Sequence, residues 1–392
     1  MALKFLNIPE QDAIRVDPQA IHDQVVSVLQ AVNVLNDHAQ ITAEILTAAS
    51  LRGVDTHGVG NVVGYVQAIE DGRYTIPQTV ETVAESATTA LLDCGNGLGF
   101  VAAHRAMQLS IAKAKQYGVG MVSVRNGHHI GMVGYYPLMA VAQDMIGMAV
   151  TNASRSMRPA QGAHPRLGTN PIAFGAPANK ERPFLLDMAT TTVASGKLSL
   201  ARRLGVPIPE GWAVDVEGAP ITDPPAQRSE AWSQNPLGNS IEQGGHKGYG
   251  LAVMVDILAG VLSGGGYSAQ LAGGENMSWT MAIDIAAFRP VEQFKAMMDA
   301  MIQELHATPP EPDAERVLVA GDPEFDTEVD RQKRGIPLHT TQYEAIIATA
   351  RRVGAQILIL RNCQARQKYR QSPTALSNQP RDKFGFNRIS CG

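Results

Sequence analysis

The apolar residues of this chain keep helical spacing up to about residue 72, and from Thr88 onward strand-like runs alternate with helical stretches. That change of period is the strongest limit on the fold. A pattern repeating every 3.6 residues buries one face only as a helix, and a pattern of period 2 only as a strand. In the first part, Asp17-Pro18 supplies a capping oxygen and a proline whose missing N–H costs nothing in a first turn, predicting a helix to about Ala31. A second helix is predicted from Asp37, with Gln40 as its capping-box partner and Gly53 as its stop.

In the second part, TTALLDC, GMVSV (120–124), MIGMAV (145–150), short runs near 171–175 and 184–188, and SWTMAIDI (278–285) read as strands. Helices are predicted over 103–117, 132–142, 249–262, about 289–306 and 341–352, while the Gly- and Pro-rich stretch 200–245 reads as a long irregular connection. The expected fold class is mixed α/β (α+β), with the strand order left open. A helical segment, 1–72, is expected to pack with C-terminal helices at about 289–355. A mixed α/β body spans 73–285, a C-terminal helical segment 286–361, and a polar tail 362–392.

Composition narrows the function. A formal net charge of −4 with 18% charged residues gives no general pull toward nucleic acid or anionic lipid. Cys94, Cys363 and Cys391 are odd in number and lack metal-like spacing, which fits a reducing compartment. The stretch MALKFLNIPEQDAIR contains no apolar export segment, so a cytoplasmic location is expected. The longest apolar run, Leu251 to Leu262, is too short for a bilayer and contains Asp256.

LRGVDTHGVGNVVGY (51–65) sets one histidine between helical patterns. With Thr56 as N-cap of a helix over 57–70, Val59, Val62, Val63, Val66 and Ile69 form an apolar stripe. His57, Asn61 and Tyr65 then share a polar face at a helix N-terminus, where an anion is favoured. His57 is either a proton carrier or a capping histidine. GNGLGF (95–100) fails the dinucleotide fingerprint, because Phe100 stands where its third glycine belongs. GGHKGYG (244–250) is not a Walker loop, yet Lys247 before a helix offers either an anion cradle or a solvated lysine. In FLLDMATTTVASGK (184–197), Asp187 ends a strand and either orients a histidine, binds ribose hydroxyls, or caps a turn. His128 and His129 are adjacent and point apart, so no metal site is expected there.

RGVDTHGV, NGHHIGMVGYY, LGTNPIAFGAP, LDMATTTVASGK and HKGYGLAVMVDILAGVLSGG together resemble, in order and spacing, the type-2 malate/L-lactate dehydrogenase family, from about residue 17 to 355. Its relatives include sulfolactate and ureidoglycolate dehydrogenases, diketogulonate reductase and Δ1-piperideine-2-carboxylate reductases. The resemblance implies a homodimer that binds NAD or NADP in a non-Rossmann fold, and a small-molecule substrate. It implies His57 as proton donor, with Thr56 and Asp187 as relay partners and His129 as the second histidine, which one branch uses as base. Asn61 and Tyr65 fall on its substrate-binding positions. Asn170, Leu186, Met188, Ala189, Thr190, Thr191, Thr192, His246, Lys247, Gly321, Asp322 and Pro323 fall on or near its nucleotide-contacting positions.

Two positions depart from the family. Asn61 stands where many relatives have an arginine that clamps the substrate carboxylate, and an amide cannot replace that charged fork. Arg155 and Arg158 are the substitute candidates. Several relatives have a histidine near Trp279. The leading expectation is NAD(P)-linked interconversion of a small 2-oxo acid and its 2-hydroxy acid. The alternatives are reduction of a cyclic imine carboxylate, with His57 protonating nitrogen, and an idle nucleotide-binding protein.

Overall fold

The structure, a computed structural model, describes residues 8–225 and 229–359. The polar tail, Cys363 and Cys391 lie outside the described residues. After a short strand, β1 (Ala13–Val16), the Asp17 carboxylate accepts the Gln19 and Ala20 N–H groups and starts α1 (Pro18–Ala31). Ile21, Val25, Val28 and Leu29 form its fully buried face. α2 (Asn36–Leu51) begins at Leu35 with no side-chain cap, so the expected capping box is absent. Gly53, at φ 79°, turns the chain after it, and α3 spans Val62–Glu70.

The body contains β2 (Glu81–Glu85), β3 (Thr89–Asp93), α4 (Gly99–Tyr117), β4 (Val119–Arg125), α5 (Tyr135–Val141), β5 (Met145–Thr151), β6 (Ile172–Ala176) and β7 (Phe184–Met188). It continues through α6 (Ser195–Leu204), β8 (Ala213–Asp215), β9 (Pro220–Ile221), β10 (Trp232–Gln234), α7 (Gly245–Val255) and β11 (Ser278–Asp284). The chain ends with α8 (Val291–Ala307), α9 (Asp322–Arg334), β12 (Ile336–His339) and α10 (Thr340–Arg352). One seven-stranded sheet has the order β2-β3-β4-β11-β5-β6-β7. Only β3 and β4 run parallel, joined through α4; every other pair is antiparallel. β11 arrives from far along the chain to lie between β4 and β5, with Met281 opposite both Met121 and Met148. Such non-local pairing leaves no local trace in sequence.

α4 is buried on two faces. Ala102 and Ala106 pack with Leu92 and Val122 of the sheet. Ala103, Met107 and Ile111 share a core with Ile21, Leu29, Ile45 and Leu46 of the N-terminal helices. Each such large side chain contributes about 1.5–3 kcal/mol when buried, so α1 and α2 share a common core with α4. β1 pairs with β12, α10 packs on α3, and α9 on α2. α8 is held elsewhere: Asp299 accepts the N–H groups of Asn179, Lys180 and Glu181, and Lys295 pairs with Asp144 at 3.0 Å.

The described residues within 200–245 hold more regular structure than their composition suggests. The end of α6 and a small sheet, β10-β8-β9, enclose Leu198, Ala201, Ile208, Trp212 and Ala213. Strands of two or three residues are too short to show a period. The predicted helix over 249–262 changes at Asp256 into a π-turn, Asp256–Val261, which turns that carboxylate inward. No helix among the described residues is long and apolar enough to cross a membrane.

Candidate active site

The helix expected over 57–70 starts only at Val62. His57 sits instead in a 3-10 turn, Asp55–His57, and a second such turn spans Val59–Asn61. Gly58 breaks the helix. It is extended (φ −88°, ψ −167°), and a side chain there would overlap Ser50, whose Oγ accepts the Val59 N–H at 3.0 Å. The apolar stripe still holds, with Val59, Val62 and Val66 fully buried.

His57 and His129 lie face to face, ring centroids 5.2 Å apart and planes 22° from parallel. The His57 Nδ1 is 2.9 Å from the Thr56 hydroxyl. The His129 Nδ1 accepts two hydrogen bonds, from the Tyr65 hydroxyl at 2.7 Å and from the Gly131 N–H at 3.3 Å. A backbone N–H can only donate, so this nitrogen carries no proton and the His129 proton sits on Nε2. A hydroxyl can donate or accept, so Thr56 permits either tautomer of His57. Among the described residues neither Nε2 has a partner within the chain. Burial holds His57 at about 4. His129 is lowered to about 3 by burial, with the nearby His57 charge adding to the effect. Both rings are therefore neutral at pH 7.

Asp187, on the edge strand β7, accepts the Gly134 N–H at 2.7 Å. Gly134 is required, since a Cβ there would stand 2.8 Å from that carboxylate oxygen. Burial raises Asp187 to about 6; the Gly134 bond and Arg52 oppose the rise, and Glu324 adds to it. Asp187 thus anchors the loop carrying His129 and makes no direct bond to His57. His57 and His129 are partly exposed and Asp187 is exposed, so the side of this cluster that solvent reaches is taken as the cleft open to a small ligand.

Around the cleft, Leu186, Met188 and Ala189 are partly accessible. The hydroxyls of Thr190, Thr191 and Thr192 point inward, to the carbonyls of Thr169, Val193 and Pro236. Asn170 is fully buried: its oxygen takes the Ala153 N–H and the Ser268 hydroxyl, and its amide donates to Ala252. It belongs to the framework around Asp256, and touches no open space. His246 and Lys247 are exposed at the start of α7, whose preceding loop bonds back to the 190–192 segment through Leu237 and Asn235. Gly321 (φ 101°) leads into α9. Asp322 is buried on the Val319 N–H and His306, and Pro323 opens the helix. Arg155 pairs with Glu230 at 3.1 Å, and Arg158 donates to Asn235 at 2.9 Å. Asn61 donates to the Thr56 carbonyl at 2.9 Å. Trp279 is buried in the sheet core. No group of three His, Cys, Asp or Glu residues that could hold a metal occurs among the described residues.

Sequence reasoning missed α9. This helix joins the two halves of the site. Arg331 grips the Asp55 carboxylate with two nitrogens, at 2.5 and 2.9 Å, and also the Ser50 carbonyl. Arg52 pairs with Glu328 at 2.7 Å and lies 4.1 Å over the Phe325 ring. At its other end the Ala320 carbonyl accepts the Leu185 N–H on β7, and Phe325 packs on Leu185. The Asp-Pro start and the Gly335 stop were the available signals, but few apolar residues mark the helix. Arg331→Gln is expected to cost about 1–3 kcal/mol. It should lower both Tm and kcat while sparing nucleotide affinity; thermal melting and steady-state kinetics measure the three.

A sheet-and-helix body with no glycine fingerprint brings two neutral imidazoles together where solvent reaches them, an arrangement able to pass a proton to a small ligand. Residues 16–347 match the family model described as malate/L-lactate dehydrogenase. The chain is 41% identical over 353 residues to a malate dehydrogenase of Pyrococcus horikoshii, covering 88% of this chain and 98% of that one. It is 35% identical to an L-sulfolactate dehydrogenase of Methanothermobacter thermautotrophicus, covering 88% and 99%. A crystal structure of malate dehydrogenase from Entamoeba histolytica superposes with a TM-score of 0.85 at 31% identity, covering 88% and 99%. The chain belongs to the malate/L-lactate dehydrogenase family, and that membership implies a nicotinamide cofactor.

Proposed function

We propose that this enzyme interconverts a small 2-oxo acid and its 2-hydroxy acid, of the malate, lactate or sulfolactate kind, with NAD or NADP, as a cytoplasmic homodimer. The carrying observation is the asymmetry of the two histidines. His57 has an adaptable hydroxyl on Nδ1 and a free Nε2, so it can take or give a proton there. His129 has its proton held on Nε2 by Gly131 and Tyr65, so it can only donate a hydrogen bond to the substrate oxygen. His57 is then the general acid/base and His129 the polarising donor. The nicotinamide, when bound, supplies or accepts the hydride. The accessible Leu186, Met188 and Ala189 beside Asp187 offer an apolar platform suited to a flat ring. The Thr56 hydroxyl accepts the Nδ1–H of His57 and so leaves Nε2 free to exchange the proton, and Asp187 keeps the His129 loop in position through Gly134.

Because His57 is neutral above about 4, it is poised as a base for hydroxy acid oxidation at neutral pH. Asp187, raised to about 6, gains a proton below that and weakens its hold on Gly134. Oxidation kcat/KM should therefore be level near pH 7, decline through about 6, and decline further toward about 4. The reverse reduction, which needs the imidazolium form of His57, should gain with acidity until Asp187 titrates. The test is a panel of 2-hydroxy and 2-oxo acids followed by nicotinamide absorbance with each nucleotide across pH. No turnover of any member would remove the reading.

A further inference from the structure

We propose that the Lys197 ammonium holds the carboxylate of the 2-oxo or 2-hydroxy acid beside His57, taking the role that Asn61 cannot perform. The proposal rests on the reading of the His57 cleft as the active site. α6 begins against the histidine turn: a Cβ on Gly196 would lie 2.7 Å from the Thr56 Cβ, so only glycine allows this approach. Lys197 is the next residue and half-buried; its backbone N–H donates to the Ala194 carbonyl, while its ammonium has no ion pair or hydrogen bond among the described residues. It stands in the first turn of a ten-residue helix, where the dipole disfavours a cation. Burial lowers its pKa, and Glu324 is the one charge that acts against this. α6 packs against the 3-10 turn that carries Thr56 and His57, which sets the start of the helix, and Lys197 with it, beside that turn. A desolvated cation at the wrong helix end, without a partner, is a cost to folding that an anionic ligand would remove.

Apart from Lys247, exposed at the start of α7, the cations named as candidates are engaged. Arg155 is on Glu230, Arg158 on Asn235, and Arg52 is buried between Glu328 and Phe325. The Asn61 amide is on the Thr56 carbonyl. An ammonium acts as a point charge rather than a planar fork, so it sets the presence of an anion more strictly than its shape.

The test compares a 2-oxo acid with its methyl ester, in the wild type, Lys197→Met and Lys197→Arg, with nucleotide Kd measured separately. Losing a hydrogen bond to a charged group should raise KM for the acid roughly 10–100-fold in Lys197→Met, leave the ester and the nucleotide Kd unchanged, and do little in Lys197→Arg. Adding Asn61→Arg to Lys197→Met should restore most of the loss. Equal losses for acid and ester, or a weakened nucleotide, would overturn the proposal in favour of a packing or phosphate-binding lysine. A second readout is independent of turnover: the 2-hydroxy acid should raise the Tm of the wild type and not that of Lys197→Met. A wild type that neither turns over nor is stabilised by any acid overturns the active-site reading itself, whereas a wild type that responds together with an equally responsive Lys197→Met overturns the lysine alone.

Discussion

His57→Asn is expected to lower kcat in both directions by ~10²–10⁴ and to leave nucleotide Kd unchanged. The substitution keeps a polar side chain near Thr56 and removes the only nitrogen in the pair whose protonation is free to change. His129→Asn should behave differently. It removes a donor but no proton carrier, so it should raise KM for the acid and lower kcat less, and it should keep the shape of the pH profile. Thr56→Val leaves the ring but removes its adaptable partner, and an intermediate loss is expected. Unchanged turnover in His57→Asn, with a large loss in His129→Asn, would exchange the two assignments.

The second large effect is expected from Gly99→Ala, at a residue with no side chain of its own to act on a substrate. A Cβ there would run into the His128 carbonyl oxygen and approach that of His129. The loop cannot simply retreat. His128 is held by the Gly274 carbonyl and Asn96, each at 3.0 Å, and stacks on Tyr74 at 4.0 Å. His129 must therefore shift, and a displacement near 1 Å can cost about 10² in rate. Overpacking of this kind also destabilises by about 1–3 kcal/mol. A fall in Tm together with a fall in kcat, and weaker binding of the 2-oxo acid, would agree. Gly64→Ala is the control: nothing lies within 4 Å of its Cβ and it sits inside α3. There alanine should stabilise by about 0.5–1 kcal/mol. A Gly99→Ala enzyme with wild-type kcat would mean that the His129 position is not critical.

Gly99 also explains why the glycines of GNGLGF look like a nucleotide fingerprint. They serve close packing: Gly95 is at φ 65°, Gly97 lies against Gln78, and Gly99 lets α4 meet the histidine loop. Sequence spacing reports that glycine is needed, and the partner it approaches is invisible until the chain is folded. The same holds at Gly134 and Gly196, each of which admits a neighbour, Asp187 or Thr56, from a distant segment.

Local signals placed most elements. Asp17 with Pro18, the alternating run of β5 and the apolar stripe from Val59 to Val66 follow from capping and periodicity acting within a few residues. Elements that lack their own apolar period went unseen: α9, the pair β1 and β12, and the short strands near Trp212 are held by partners up to hundreds of residues away. In the cleft, sequence named His57, His129, Tyr65 and Asp187, and the structure brings the first three into contact while giving Asp187 to Gly134. It did not reveal that the threonine hydroxyls and Asn170 turn inward, because side-chain direction depends on which carbonyls tertiary folding leaves unpaired.

By itself, then, the sequence determined the helical first layer, the mixed body and the residue types available for proton transfer, since these depend on short-range geometry and on chemistry carried by each side chain. Tertiary structure alone decided the sheet order around β11, the 3-10 turn that presents His57, the tautomer of His129 and the bracing by α9. Each of those is a relation between groups far apart along the chain, and only packing brings them near enough for hydrogen bonds and charges to act.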